Sequence, residues 1–369
     1  MALDFSENVA GLGILTGSFY VGLGLGQVPG GILAAQIGPR RSAIYGTILA
    51  SSACFLCGIT TAFVQLILLR FVAGLGMALV FGSGVTLIAK NFDQNGEGLG
   101  VGVFNAAMSV GGAIGLFTWA ILAYATGWRL SLMISGGIGL VSAIGILLFV
   151  PNDDLAEEFS VKRSALMRVL GDKPSVLLGV KLFVMMGSSS LITAILLYYL
   201  EQIMRVTPAL AGLVTALSLT MGIPASLVAG RIYDRNKNAA IMLLVSGLGT
   251  AIGLAAAAVS AIYASILSSI MVGYFTSFGS TIAFAAARDI NKAGKEYEPL
   301  AIAWVNGLSL YSGFVMPVVF SIVALRIGYM ISWLGAGAAV FLLVASLFVL
   351  SRIRPGGWAV EPRRLGMQL

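Results

Sequence analysis

Histidine is absent from all 369 residues, which excludes a histidine proton relay, a histidine-based zinc site and a Ser-His-Asp triad. Cysteine occurs only twice, as Cys54 and Cys57. In a soluble chain that C-x-x-C spacing would suggest redox or metal chemistry; here both fall inside an apolar run, where they are expected to pack as small hydrophobes. Charged residues make up 10% of the chain against 58% hydrophobic residues, the reverse of what a soluble globule needs to keep its surface wet. No acid lies deep in an apolar run, since Glu201 and Asp289 sit at run ends. A carboxylate proton carrier is therefore not visible. Without histidine or a deep acid to activate a nucleophile, an enzyme is not expected, nor is any cofactor or metal.

A helix needs about 20 mostly apolar residues to cross roughly 30 Å of hydrocarbon. Eleven runs meet that need: 11–35, 42–63, 65–89, 101–125, 130–150, 175–201, 208–230, 239–259, 261–287, 299–325 and 330–350. The expected fold is an all-α polytopic membrane protein with its termini on opposite sides. Of 22 basic residues, 18 fall in one set of connections and the C-terminal tail, while only Arg129, Arg205 and Arg326 occupy the alternate set. Positive loops are retained in the cytoplasm. The reading is thus a multi-pass plasma-membrane protein with the N-terminus as given outside and the C-terminus inside. The same rule accounts for most of the net charge of +7, so no nucleic-acid partner is expected; the partners are the lipid bilayer and a small-molecule solute.

The chain repeats itself. Ala10-Gly11-Leu12 matches Ala211-Gly212-Leu213, Asn105 with Gly112 matches Asn306 with Gly313, and Gly127 matches Gly328, all at an offset of 201; Phe81-Gly82-Ser83 matches Phe278-Gly279-Ser280 at 197. Parallel repeats are a common transporter architecture, with the binding site between the halves near the midplane. The halves are expected at 1–150, with five helices, and 175–350, with six; 151–174 is a cytoplasmic linker and 351–369 a cytoplasmic tail. The linker's Leu155, Phe159, Leu166, Val169 and Leu170 suggest a short amphipathic helix. The first half lacks a partner for the second half's opening helix. A late start codon or a truncation is the favoured explanation, because an outside N-terminus with no cleavable signal is hard to insert.

One loop between spans reads Gly31-Ile32-Leu33-Ala34-Ala35-Gln36-Ile37-Gly38-Pro39-Arg40-Arg41, and its counterpart reads Gly230-Arg231-Ile232-Tyr233-Asp234-Arg235. With Arg70, Gly74 and Gly76 in one span and Gly127-Trp128-Arg129 at the end of another, the whole chain resembles the major facilitator superfamily. That resemblance implies two bundles rocking about a central site. It also implies gating loops at Gly31, Gly38, Arg40, Arg41, Gly230, Asp234 and Arg235, with Asp234 latching against the helix start at Gly98 to Gly102. Ala35 and Gln36 replace the acidic and basic pair in the first loop, so the gate should be asymmetric. The family's drug-antiporter glycine-proline signature is absent from 109–115.

Gly22, Gly26 and Gly30 recur every fourth residue, as do Gly111 with Gly115 and Gly249 with Gly253, and such small faces let helices pack closely in lipid. Pro29 and Pro224 can bend their spans. Ionisable groups inside a membrane are functional candidates by default. Arg70 is the one well inside a span, placed either to attract an anion or to snorkel outward, while Lys181 is expected to snorkel. Candidate cavity residues are Arg70, Asn105, Ser188, Ser190, Tyr274, Ser277 and Asn306. For any single serine, a bond to its own helix backbone competes with ligand contact.

The functional expectation is a secondary active or facilitative transporter of a small solute, with an organic or inorganic anion suggested by Arg70 and the sparse acids. A proton as coupling ion has no carrier in the visible spans. The alternatives are an exporter of amphiphilic compounds, using Met185, Met186, Phe275 and Phe278, and a non-transporting membrane sensor or inactive truncated paralogue.

Overall fold

The computed structural model describes residue 5 and residues 9–91, 97–151, 163–236, 238–290 and 298–353, and among these the regular elements are all helical. The first half comprises α1 (Val9–Ile37), α2 (Pro39–Cys57), α3 (Phe63–Asn91) and α4 (Glu97–Phe149). A short α5 (Arg163–Leu170) precedes the second half. That half comprises α6 (Lys173–Ser190), α7 (Pro208–Thr220), α8 (Gly222–Asn236), α9 (Ala239–Ala256), α10 (Ile262–Ile290), α11 (Glu298–Leu310), α12 (Ser312–Ile327) and α13 (Tyr329–Ile353). Helix is what so apolar a chain can use, because lipid offers no partner for a backbone amide or carbonyl and each segment must satisfy its own.

Eight helices among the described residues are long and apolar enough to cross a membrane. The other three expected spans are helical as well: α1, α2 and the arm of α4 before Gly127. In α2, Arg40 and Arg41 occupy the first turn and dilute the apolar run; in the α4 arm the apolar segment is short, Ala107–Trp119. Exposed apolar side chains such as Ile138, Val141, Leu148, Leu325 and Leu342 coat the exterior, a surface suited to lipid and not to water.

Three sharp turns between helices are made by single glycines. Gly38 (φ 89°, ψ 143°) joins α1 to α2, Gly127 (φ 80°, ψ 156°) divides α4, and Gly328 (φ 88°, ψ 161°) joins α12 to α13. A Cβ essentially closes this backbone region, so only glycine makes the turn in one residue. Gly127 and Gly328 are matched repeat positions, and they share one geometry. The later glycine of the first loop is thereby explained. Its counterpart lacks that glycine, and Asn238 instead caps α9, its side-chain oxygen accepting from the Ile241 amide at 3.3 Å.

The spans expected at 208–230 and 299–325 each run on as one, Pro208–Tyr233 and Leu300–Ile327, with a single turn residue of helical dihedrals, Met221 or Tyr311, between α7 and α8 and between α11 and α12. α6 runs on into π-helical turns at Leu191–Leu196 and Tyr199–Ile203. Expected glycine packing holds in part. A methyl group at Gly26 would lie 2.7 Å from the Ala78 Cβ, and one at Gly253 would lie 2.9 Å from the Met271 Cβ, so α1 meets α3 and α9 meets α10 backbone to backbone. Gly111 and Gly115 differ: nothing approaches within 4 Å of either. The halves meet along two seams, α1 against α11 and α12, and α4 against α7 and α8.

Gly127→Ala should destabilise the protein by about 1–3 kcal/mol through backbone strain alone, since a methyl there would touch nothing within 4 Å. Gly137→Ala, equally open but within ordinary helix, should not. Thermal unfolding in detergent micelles compares the two; equal midpoints would remove the strain argument.

Candidate functional site

The seam between α1 and α11–α12 is assembled from glycines and rings. Gly13, Gly17, Tyr20 and Gly24 share one face of α1, being three or four residues apart. A methyl at Gly13 would sit 3.3 Å from Val318, and one at Gly17 would fall inside the Phe314 ring. The Tyr20 ring lies on Gly313, while Gly24 faces the Tyr311 ring at 3.2 Å and the Gly307 carbonyl oxygen at 3.3 Å. Each helix thus lends rings to the other's glycines.

Polar groups converge at the level of Tyr20. Its hydroxyl interacts with that of Ser190 on α6 and lies within the field of Arg70 on α3. Ser190 donates to the Met186 carbonyl oxygen at 3.1 Å, which leaves its oxygen able to accept. The Arg70 guanidinium lies over the Phe19 ring, 5.2 Å from the centroid, and Phe19 meets Tyr20 edge-on at 5.7 Å. A cation over an aromatic face is attracted by the ring quadrupole. Arg70 has no hydrogen-bond or ion-pair partner among the described residues. Instead of extending outward, this half-buried cation is held against α1.

The remaining candidates separate. Asn306 on α11 is buried, 4% exposed, and its side-chain amide makes no hydrogen bond among the described residues. Ser277 on α10 belongs to the second seam, where its hydroxyl and that of Ser109 from α4 both crowd Gly222 of α8. Tyr274 stacks on Phe278 at 6.4 Å and meets Phe275 edge-on at 5.3 Å. Ser188 is not brought to either seam: it is fully buried and donates to the Val184 carbonyl oxygen at 2.7 Å. That is the local bond expected of a hydroxyl in an apolar helix. The side chain of Asn105 lies outside the described residues.

Among the loop residues, Arg40 donates to the Leu147 carbonyl oxygen at 2.6 Å, placing its charge where the last carbonyls of α4 make the helix end negative. That bond ties α2 to α4 within the first half. Arg41 and Arg235 are exposed, and Gly31 and Gly230 have open space beside them. The Asp234 side chain, and with it the expected latch to Gly98 to Gly102, lies outside the described residues. Lys181 departs from expectation: it is enclosed by protein, 1% exposed, between the fully buried Leu178 and Leu182, and does not snorkel. Cys54 and Cys57 are free thiols, Cys57 fully buried as expected.

Sequence reasoning missed Tyr20 and Gln27 on α1. Gln27 is 1% exposed, and neither its Oε1 nor its Nε2 has a hydrogen-bond partner among the described residues. The signal was present, a lone amide in an otherwise apolar run.

All-α architecture, two related halves and a polar seam between them define a polytopic membrane protein of the repeated-bundle class. The sequence pattern described as the Major Facilitator Superfamily matches residues 1–182 and again 177–367, and the chain belongs to that family. A probable L-galactonate transporter of Escherichia coli K12 is 30% identical over 155 residues, 42% of this chain and 34% of that protein. The probable galactarate/D-glucarate transporter GudP of the same organism is 29% identical over 147 residues, 38% of this chain and 33% of its own length. The inner membrane transport protein YdhP, also from E. coli K12, is 23% identical over 246 residues, 64% and 61% of the two chains. The chain thus spans about a third of the first two relatives.

Gly313→Ala would drive a methyl into the Tyr20 ring and should cost about 1–3 kcal/mol as overpacking. Tyr20→Ala in the same chain should return part of that loss. A double-mutant cycle on thermal stability tests the contact; strictly additive effects would show that the two positions do not meet.

Proposed function

We propose that this chain carries a small organic anion across the plasma membrane by alternating exposure of a site between its two halves. The observation that carries the reading is Arg70, a guanidinium within a span that has an aromatic ring beneath it and no carboxylate partner among the described residues. A half-buried cation inside a span without a counter-ion is costly, and an arriving carboxylate would relieve that cost with a bidentate, charge-assisted pair. Tyr20, next to the Phe19 that carries Arg70, and Ser190 on α6 offer neutral hydroxyls from the two halves, through which an anion held there could be touched by both bundles. The printed names of two relatives, transporters of L-galactonate and of galactarate/D-glucarate, point to hydroxylated carboxylates as the solute class. Asn306 and the second-seam hydroxyls are the polar groups available to such a solute. The proposed activity is transport, and the asymmetry of basic loops supports a cytoplasmic C-terminus.

The export of amphiphiles has less support. Met185 and Phe278 belong to the core of the second half, and the Phe275 ring covers Gly249. Met185 and Phe278 thus fill the interior of the second half instead of facing a cavity.

Uptake of radiolabelled L-galactonate and D-glucarate into proteoliposomes tests the proposal. Arg70→Gln should reduce uptake about tenfold or more, as expected for losing a hydrogen-bonded charge, whereas Arg70→Lys should keep part of it. Full activity in Arg70→Gln would sink the reading.

A further inference from the structure

We infer that Gln27 is a specificity-determining residue that hydrogen-bonds the hydroxyl groups of the solute at the end away from its carboxylate. The inference rests on the anion site proposed at Arg70 and adds a second point of recognition to it.

Gln27 is enclosed, 1% exposed, yet both polar atoms of its carboxamide lack partners among the described residues. An amide can donate two hydrogen bonds and accept two, and leaving all of them unmade away from water is unfavourable. An amide serving only to hold helices together would have found a partner on α3 or α11. The stem of Gln27 instead lies across Gly307 of α11, where a methyl group would be 3.5 Å from the Gln27 Cβ and 3.9 Å from its Cγ. Gly307 follows Asn306, whose own buried amide makes no hydrogen bond among the described residues. Each half therefore contributes a carboxamide with unused hydrogen-bonding capacity to this stretch of the seam, Gln27 against Gly307 and Asn306 one residue before it in α11.

Position along α1 links this pair to Arg70. The guanidinium rests on Phe19, and Gln27 lies eight residues further along the same helix, about 12 Å at 1.5 Å per residue. An extended six-carbon hydroxy acid covers roughly 6 Å of chain, and hydrogen bonds of about 2.9 Å at each end complete that interval. Its carboxylate would meet Arg70, while a terminal hydroxyl, which both donates and accepts, would meet the amides. An unsubstituted fatty acid of the same length would leave them unpaired, and a site built to hydrogen-bond a hydroxyl discriminates strongly against the analogue lacking it.

The test uses thermal stabilisation of the purified full chain in detergent by three probes: gluconate, hexanoate and the uncharged polyol sorbitol. Wild type should be stabilised by gluconate at concentrations about tenfold lower than hexanoate requires. Gln27→Leu should raise the gluconate concentration needed by about tenfold and leave hexanoate unchanged; Asn306→Leu provides a second variant should the first fold poorly. Stabilisation by sorbitol that is lost in Gln27→Leu would support the amide site even if Arg70 proved not to bind the carboxylate. Gluconate stabilisation that persists in both variants, or an equal loss for gluconate and hexanoate, would overturn the assignment. So would the absence of any stabilisation of wild type by gluconate and sorbitol.

Discussion

Backbone approach at glycine is the constraint on which this molecule depends. In lipid, burying apolar side chains gains nothing over leaving them among acyl chains, so helices associate through van der Waals contact and the few polar bonds available. Contact of that kind falls off steeply with small gaps. The α1 helix meets the problem on two faces. Gly22 and Gly26 bring it against the backbone and Ala78 of α3, while Gly13, Gly17 and Gly24 take side chains of α11 and α12. The first face holds the first half together; the second forms the seam with the other half. A seam made of ring-on-glycine contacts has little chemical stickiness, and that suits surfaces required to part and re-form.

The same closeness determines where polar groups can stand. Along the seam, Tyr20 rests on Gly313 and Gln27 lies over Gly307, so each polar side chain of α1 uses the space left by a glycine of the opposite half. Arg70 is positioned through the aromatic pair next to it, Phe19 and Tyr20. Polar groups also lie inside the second bundle, Lys181 and Ser246 among them. Hydroxyls such as Ser188 and Thr276 bond back to their own helix at 2.7 Å and are chemically quiet.

Much of this was legible from residues alone because the bilayer simplifies the code. Span length, positive loops and the repeat offset each follow from one physical rule, and the matched Gly127 and Gly328 turned out to share a backbone conformation that a repeat alone could not reveal. The site was less legible. Ser188 and Ser190 are two residues apart in one polar run, yet the 100° rotation per residue of a helix sends Ser188 into the core and Ser190 toward Tyr20. Gly111 and Gly115 carry the same spacing as Gly22 and Gly26 but face no neighbour, because spacing defines a small face and not what stands opposite it. The burial of Lys181 likewise depended on which helices surround α6.

The two halves, though repeats, are not mechanical equals. In the first half, α1 and α3 each run unbroken for 29 residues, and Arg40 pins the end of α4 to α2. In the second half α10, the counterpart of α3, also runs unbroken for 29 residues, but π turns follow α6 beyond Ser190, and Met221 and Tyr311 are turn residues within two further spans. The π turns widen the ladder of hydrogen bonds and concentrate bending there, whereas Met221 and Tyr311 keep helical dihedrals and accept from the Ala225 amide at 3.3 Å and the Val315 amide at 3.0 Å. Both of these turns sit at the seams, Tyr311 against Gly24 and the start of α8 at Gly222 against Ser109. On the proposed cycle, the first half therefore acts as the stiff surface that presents Arg70 and Gln27. The second half bends about its π turns to bring Ser190 and Asn306 to the solute or withdraw them.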